Sequence, residues 1–251
     1  MFNTAAYLNR IGLSHQGAPN AELLGALHEA HQLAVPFENL DIHRGVPISL
    51  DPEAIYAKIV EQHRGGFCYE LNGLFAMLLD SLGFKVTLLS ARVSRADGSF
   101  GPEFDHLVLR VDLDEPWLAD AGFGDSFRRP IRLAPGLEQT DGLSRYRLTN
   151  DGHDYVLQRH REDGGWTPQY AFSLTPRTLD EFAEMCVVQQ TSPESHFTKR
   201  RMTTLPTPTG RITLVNTMLI TTGPDGRDEQ QLAGEDEAQA VLRERFGIFL
   251  P

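Results

Sequence analysis

Two cysteines are the only thiols of this 251-residue chain, and their positions differ. Cys68 follows Gly65 and Gly66 and stands at the start of an apolar stripe with helical spacing, which Gly83 ends. A thiol at a helix N-terminus has a lowered pKa, and the thiolate is the nucleophilic form. The pattern therefore predicts that Cys68 is a nucleophile, with a buried helix residue as the alternative interpretation. Cys186 has helical spacing from another apolar residue and is predicted to be a core residue.

A predicted hairpin relates a histidine to an aspartate. The segments 106–113 and 117–121 have the period of β-strands and are joined by a short turn. In the register that this turn favours, Val108 lies opposite Asp120, and His106 is a diagonal neighbour of Asp120 on the same face. A carboxylate at that position fixes the tautomer of a histidine base and stabilises its imidazolium. A purely structural hydrogen bond is the alternative.

Together, Cys68, His106 and Asp120 supply a nucleophile, a base and a group that orients the base, which is the arrangement of a catalytic triad. The order of the three residues along the chain does not distinguish hydrolysis from acyl transfer. The sequence therefore predicts cysteine-dependent acyl chemistry.

Helical spacing dominates the first third of the chain, and a period of two follows it. Helices are predicted over 20–33, from 51–52 onward, and over 64–83, 178–190 and 235–246. Strands are predicted over 84–93, 106–113, 117–121 and 211–221, and more weakly over 154–159 and 167–173. The Pro-rich segment 204–210 is predicted to be a connector.

Composition argues against several classes of protein. The formal net charge of -11 opposes binding to nucleic acid or to an anionic membrane. The N-terminal residues lack the pattern of a secretory signal, and no apolar run is long enough to span a membrane, so a cytoplasmic location is expected. His28 and His31 form an HxxH pair, but no carboxylate or cysteine follows at ligand spacing, so no metal site is predicted.

Four local sequences resemble the arylamine N-acetyltransferase family in order and spacing: VPFENLDIH at 35–43, RGGFCYELNGLF at 64–75, DHLVLRV at 105–111 and DAGFGD at 120–125. A later segment, SHFTKRR at 195–201, resembles part of the family's lid. The resemblance implies an α+β fold with an N-terminal helical bundle, a central β-barrel and a C-terminal α/β lid. A papain-like Cys-His-Asp site would lie between the first two. The implied domains are 1–83, 84–190 and 191–251.

By the same resemblance, Cys68 takes an acetyl group from acetyl-coenzyme A and passes it to an arylamine or arylhydrazine. Phe37, Val93 and Phe123 match positions that line the family's acceptor pocket, and Gly124 is assigned to the cofactor. The implied partners are small molecules and coenzyme A, without metal, nucleic acid or membrane, in a monomer or homodimer. The chain departs from the family's common DVGFG in having DAGFG at 120–124, and its loop at 94–104 does not reveal coenzyme A contacts.

Three alternatives to this function stay open at the level of sequence. An amide synthase of the same family would use the same triad to close a macrolactam from a longer acyl chain. A transglutaminase-like or papain-like amidase would deliver the acyl group to water or lysine. A non-catalytic binding protein would keep an inert thiol on the same scaffold.

Overall fold

The computed structural model describes residues 2–14 and 17–250, and the first third of this part is helical. Its helices are α1 (Thr4–Arg10), α2 (Ala21–Ala34), α3 (Leu40–Arg44), α4 (Pro52–Tyr56), which continues as a π-helical turn (Ala57–Glu61), and α5 (Cys68–Ser81). The side chain of Asn20 accepts a hydrogen bond from the third residue of α2 at 2.9 Å, and Asp51 caps α4 in the same way at 3.0 Å. Both caps satisfy backbone N–H groups that the first turn leaves unpaired, and the sequence predicted the one at Asp51.

Helix α5 is the central helix, and its apolar stripe is buried against two strands of the neighbouring sheet, Lys85–Val93 and His106–Asp112. Each fully buried leucine of this stripe, such as Leu74 or Leu78, contributes roughly 1.5–3 kcal/mol. The helix begins at Cys68, later than the predicted 64–83, because the preceding glycines pair with another segment. The N–H of Gly66 donates to Pro36 O, and the carbonyl oxygen of Gly66 accepts a hydrogen bond from the N–H of Glu38.

Eight antiparallel strands form the middle of the molecule in the order β5-β4-β3-β2-β9-β8-β7-β6. They are β2 (Lys85–Val93), β3 (His106–Asp112), β4 (Pro116–Ala119), β5 (Ile131–Arg132), β6 (Glu138–Thr140), β7 (Arg145–Asn150), β8 (Tyr155–His160) and β9 (Trp166–Arg177). The Gln139 side chain bridges the two edge strands through hydrogen bonds of 2.7 and 3.0 Å to the backbone of Arg132. The sheet is therefore a nearly closed barrel around a core that includes Val108, Leu157 and Phe172.

A second, five-stranded sheet has the order β1-β10-β11-β12-β13 and takes its first strand from the helical region. Its strands are β1 (Phe37–Glu38), β10 (Met202–Thr207), β11 (Gly210–Val215), β12 (Met218–Gly223) and β13 (Gly226–Gln231). A 3₁₀ turn (Leu179–Phe182), α6 (Ala183–Thr191) and α7 (His196–Lys199) connect the barrel to this sheet, and α8 (Glu235–Phe246) packs on it. The predicted α+β class, with a helical part, a barrel and a C-terminal α/β part, is confirmed.

Two predictions about the C-terminal part are wrong. The segment predicted as one strand over 211–221 is a hairpin, because Asn216 adopts a positive φ of 53° and turns the chain between β11 and β12. The predicted connector 204–210 is largely strand β10. Pro206 is tolerated there because β1 pairs only with residues 203 and 204, so the proline lies where its neighbour strand has ended.

Within residues 2–14 and 17–250, no helix combines the length and the apolar character that crossing a membrane requires.

Candidate active site

The hairpin of β3 and β4 brings His106 and Asp120 together. The strands pair Leu109 with Ala119, and this register continued by one residue places Val108 opposite Asp120, as predicted. His106 Nε2 lies 2.9 Å from Asp120 Oδ2, and both side chains are buried. This contact occupies Nε2 of the imidazole, so Nδ1 is the ring nitrogen that is available to a second partner.

The Asp120 carboxylate is held on both oxygens. Its Oδ1 accepts hydrogen bonds from Asn72 Nδ2 at 2.9 Å and from the N–H of Gly122 at 3.1 Å. Burial opposes ionisation of Asp120, but the charge of His106 and the hydrogen bonds to the carboxylate outweigh it and hold its pKa below the usual range. Asp120 is therefore an anion that can orient His106 and stabilise its imidazolium.

Cys68 is the first residue of α5 and is only 3% exposed. The loop after Asp120 packs directly on this turn, because a Cβ on Gly122 would lie 2.8 Å from the Cys68 carbonyl oxygen and 3.0 Å from its Cα. Only glycine permits that approach. The structure thus places the start of α5 against the loop that carries the His106 partner.

The protonation of Cys68 differs from the lowered thiol pKa expected from its position. Complete burial raises the pKa of Cys68 well above its usual range, and the negative charges of Asp105 and Asp120 add to this effect. The helix terminus contributes only about 0.3–1 kcal/mol in the opposite direction, which is less than the desolvation of a buried charge. Cys68 is therefore a thiol in the resting site. Its thiolate would need a positive charge that forms beside it as the proton leaves the sulfur.

Two residues of the site were not identified from sequence. Asn72 lies one helical turn after Cys68, and that spacing was the available signal. Tyr170 comes from β9, and its ring lies 5.3 Å from the His106 ring and 5.2 Å from that of Phe123. Burial and the charge of Asp120 raise the pKa of Tyr170 well above its usual range. Tyr170 is therefore an uncharged side chain that borders the site.

A buried charged cluster supports the start of α5 from behind. Lys58 Nζ lies 2.8 Å from both Asp41 Oδ2 and Glu70 Oε1. Arg64 Nη2 lies 2.7 Å from Glu38 Oε1 and 3.0 Å from Asp41 Oδ1. Burial raises the pKa of Glu70 to about 7, and its second oxygen accepts the N–H of the residue before Cys68 at 3.1 Å. The cluster therefore fixes the turn that presents the thiol.

The predicted pocket residues fall in two places. Phe37, Phe123 and Gly124 line one cavity beside Asp120. Phe197 of α7 packs on Phe37 with ring centroids 6.0 Å apart, which brings the predicted lid segment to the site. Val93 lies at the end of β2, where it pairs with Tyr170 of β9.

A larger cavity of about 630 Å³ opens from Phe123 and Gly124 between the barrel and the five-stranded sheet. Arg159 and Arg211 line it, and both contact Asp125, at 3.2 and 3.4 Å. The cavity extends to Phe123, whose ring lies 5.2 Å from that of His106, and its two arginines could attract an anionic part of an elongated ligand.

Among the described residues, no group of three or more histidine, cysteine, aspartate or glutamate side chains is placed to hold a metal ion. The HxxH pair on α2 is buried and hydrogen-bonded to protein groups instead. His31 Nδ1 lies 2.7 Å from the Tyr7 hydroxyl, and burial lowers the pKa of His31 to about 3.

The family model described as N-acetyltransferase matches residues 20–251. An arylamine N-acetyltransferase of Mycolicibacterium smegmatis is 36% identical over 251 residues, which cover 97% of this chain and 91% of the relative. A solved N-arylamine acetyltransferase structure from Mycobacterium smegmatis superposes with a TM-score of 0.93 at 34% identity and covers 99% of this chain and 93% of the other. A Mycobacterium marinum arylamine N-acetyltransferase solved in complex with CoA has a TM-score of 0.90 at 33% identity, with coverage of 98% and 93%.

The fold and the family model define the chain as an N-acetyltransferase. Because its relatives share about a third of its residues over nearly the whole length, the chain belongs to the arylamine N-acetyltransferase family.

Proposed function

We propose that the protein moves an acetyl group from acetyl-coenzyme A to an arylamine or arylhydrazine through an acetyl-Cys68 intermediate. The observation that carries the proposal is the His106–Asp120 pair, 2.9 Å apart, beside the helix start that bears Cys68. The family supports the acetyl transfer, and the relative solved with CoA supports the donor.

In the first half-reaction, the Cys68 proton moves to His106 Nδ1 as the sulfur attacks the thioester carbonyl. Asp120 stabilises the imidazolium that forms, so the thiolate never stands alone in its buried position. The Cys68 N–H lies in the first turn of α5, has no partner within the helix and can donate to the oxyanion. The bond from the acyl carbon to the donor sulfur then breaks, and the coenzyme A thiolate leaves with the proton from His106.

In the second half-reaction, the amine attacks the acyl carbon of acetyl-Cys68. His106 accepts the proton that the amine loses, and the bond between the acyl carbon and Sγ breaks. The proton returns to Cys68, which leaves the enzyme as it began. One thiol replaces another in the first step, and the amide product makes the second step favourable.

The aromatic side chains supply the acceptor pocket in this proposal. Phe37 and Phe123 line the cavity beside Asp120, which at about 10 Å³ holds no more than a water molecule, but Phe123 also lines the cavity of about 630 Å³. An aryl ring would therefore lie at the Phe123 end of the larger cavity, against an aromatic face. Gly124 has a positive φ of 89° and lies at the mouth of the larger cavity, where a cofactor chain passes close to backbone.

The proposal is tested by intact-protein mass after mixing with acetyl-coenzyme A. A single acetyl adduct is expected on the wild type and on Cys186→Ser, but not on Cys68→Ser, and an aminobenzoate should discharge it. An adduct that only a longer acyl thioester forms would favour the amide synthase instead. Discharge by water as fast as by amine would favour a hydrolase.

A further inference from the structure

The two histidines of the HxxH motif on α2 have different partners, although both are fully buried. His31 bonds to a tyrosine hydroxyl of α1. His28 reaches the active-site loop: its Nε2 lies 3.0 Å from the backbone N of Asp120, and its Nδ1 lies 2.8 Å from the carbonyl oxygen of Arg128. The motif therefore combines a structural residue with one that contacts the backbone of Asp120.

The two backbone partners fix the tautomer of His28. A peptide N–H only donates, so Nε2 must be the acceptor and carry no hydrogen, while a carbonyl only accepts, so Nδ1 must carry the hydrogen. His28 is neutral in this arrangement, in agreement with burial, which lowers its pKa. The ring stacks on Phe127 at 5.7 Å and meets Phe75 edge-on at 5.5 Å.

Gln32 makes the matching contact one helical turn further along α2. Its Nε2 donates one hydrogen to the carbonyl oxygen of Asp120 at 3.1 Å and the other to that of Phe127 at 2.9 Å. Strand β4 ends at Ala119, so the sheet does not supply these partners. Both backbone groups of Asp120 are thus held by side chains of α2.

We infer that His28 and Gln32 are positioning residues that fix the loop 120–128 at both ends. Each of them bonds Asp120 at the start of the loop and residue 127 or 128 at its end. The loop carries Phe123, and its first residue orients His106. α2 therefore sets the direction of the Asp120 carboxylate and the place of the pocket phenylalanine together. This inference rests on the proposed function.

The test compares His28→Phe with His31→Phe. Phenylalanine keeps the ring packing at either position, and both changes remove buried hydrogen bonds from the same helix, but only His28→Phe releases Asp120. The measured rate is the acetylation of Cys68 in a single turnover with acetyl-coenzyme A, followed by intact mass from pH 5 to 9. Urea unfolding midpoints of both variants show whether their stabilities match.

For His28→Phe we expect a rate about 10- to 100-fold lower and a pH profile shifted to lower pH, because a misaligned carboxylate stabilises the His106 imidazolium less and the neutral base therefore persists to lower pH. His31→Phe should stay within about threefold of the wild type with an unshifted profile. Equal rates and profiles for the two variants at equal stability would overturn the inference.

Gln32→Met keeps the length of the side chain and removes both donors, so it decides the question if His28→Phe does not fold. A loss of about 3- to 10-fold with a shifted profile is expected, and an unchanged rate would overturn the inference. Failure of the wild type itself to form the acetyl adduct would instead contradict the proposed function.

Discussion

The two cysteines are almost equally buried, yet only Cys68 lies at a helix start beside the loop that carries Asp120. Cys68 is 3% exposed and Cys186 is 2% exposed. Burial raises the pKa of both thiols, to about 12 for Cys186. The surroundings differ: Cys186 lies within α6 beside the amide of Gln190 at 3.2 Å, whereas Cys68 begins α5 beside the His106 site. Under the proposed function, a difference in thiol reactivity would come from the nearby base that takes the proton, and not from exposure or the helix terminus alone.

The largest expected effect separates the two thiols directly. Cys68→Ser should lower kcat/KM for acetyl transfer by about 10⁴-fold or more, because a hydroxyl is a far weaker acid than a thiol and gives up its proton to a base much less readily. Cys186→Ser should keep activity near that of the wild type. Steady-state kinetics with acetyl-coenzyme A and an aminobenzoate measure both. Substantial activity in Cys68→Ser, or its loss in Cys186→Ser, would reverse the comparison.

Asp120→Asn should lower kcat by about 10³- to 10⁴-fold while the fold is retained. The amide preserves the shape of the side chain but presents His106 with the wrong hydrogen-bonding group, so the base takes the wrong tautomer. Circular dichroism and the single-turnover acetylation rate test this expectation. A variant that keeps a tenth of the wild-type rate would show that His106 works without its carboxylate.

Gly122→Ala should lower the acetylation rate by about 10- to 100-fold, because the added Cβ pushes the loop away from α5 and displaces Asp120 from Cys68. Gly234→Ala is the matched control, since a Cβ there has no atom within 4 Å. Comparison of the two single-turnover rates is sufficient. Equal rates would mean that the loop tolerates displacement.

The smallest effect concerns stability and the charged cluster behind α5. The pKa of Glu70 in the folded protein, about 7, lies above its usual value of 4.5, so the folded state binds this proton more tightly than the unfolded chain. The stability linked to Glu70 is therefore present below about pH 4.5 and is lost as the pH rises through 7.

Between pH 4.5 and 7.5, the wild type should lose on the order of 2–3 kcal/mol of its free energy of unfolding through Glu70. Glu70→Gln should remove this loss, so that its free energy of unfolding depends less on pH. Urea unfolding across this range measures it, with the exposed Glu22→Gln as the control. An unchanged slope in Glu70→Gln would show that Glu70 is ionised throughout.

Local signals predicted the parts of the site that lie close in the chain. The aspartate Asp51 before a proline predicted the start of α4, and the short turn between β3 and β4 predicted the diagonal contact of His106 with Asp120. These features depend on neighbouring residues alone, which is why sequence could show them.

Long-range packing supplied what sequence could not. Tyr170 reaches His106 only because β9 pairs with β2, and β1 joins a sheet whose other strands begin more than 160 residues later. The direction of the pKa shift of Cys68 could not be predicted either, because its burial depends on how every other element packs around α5. The residues around the HxxH motif did not suggest a metal site. The spacing of the motif also gave no indication that His28 bonds to the backbone of Asp120.

The most direct test of the comparison between the thiols is their alkylation by iodoacetamide at pH 7, followed peptide by peptide in the wild type and in His106→Gln. Because both thiols are almost fully buried, access does not favour Cys68. The account predicts that Cys68 is labelled at least about 100-fold faster than Cys186 in the wild type and falls close to the Cys186 rate in His106→Gln. Equal labelling in the wild type, or a fast Cys68 in His106→Gln, would contradict it.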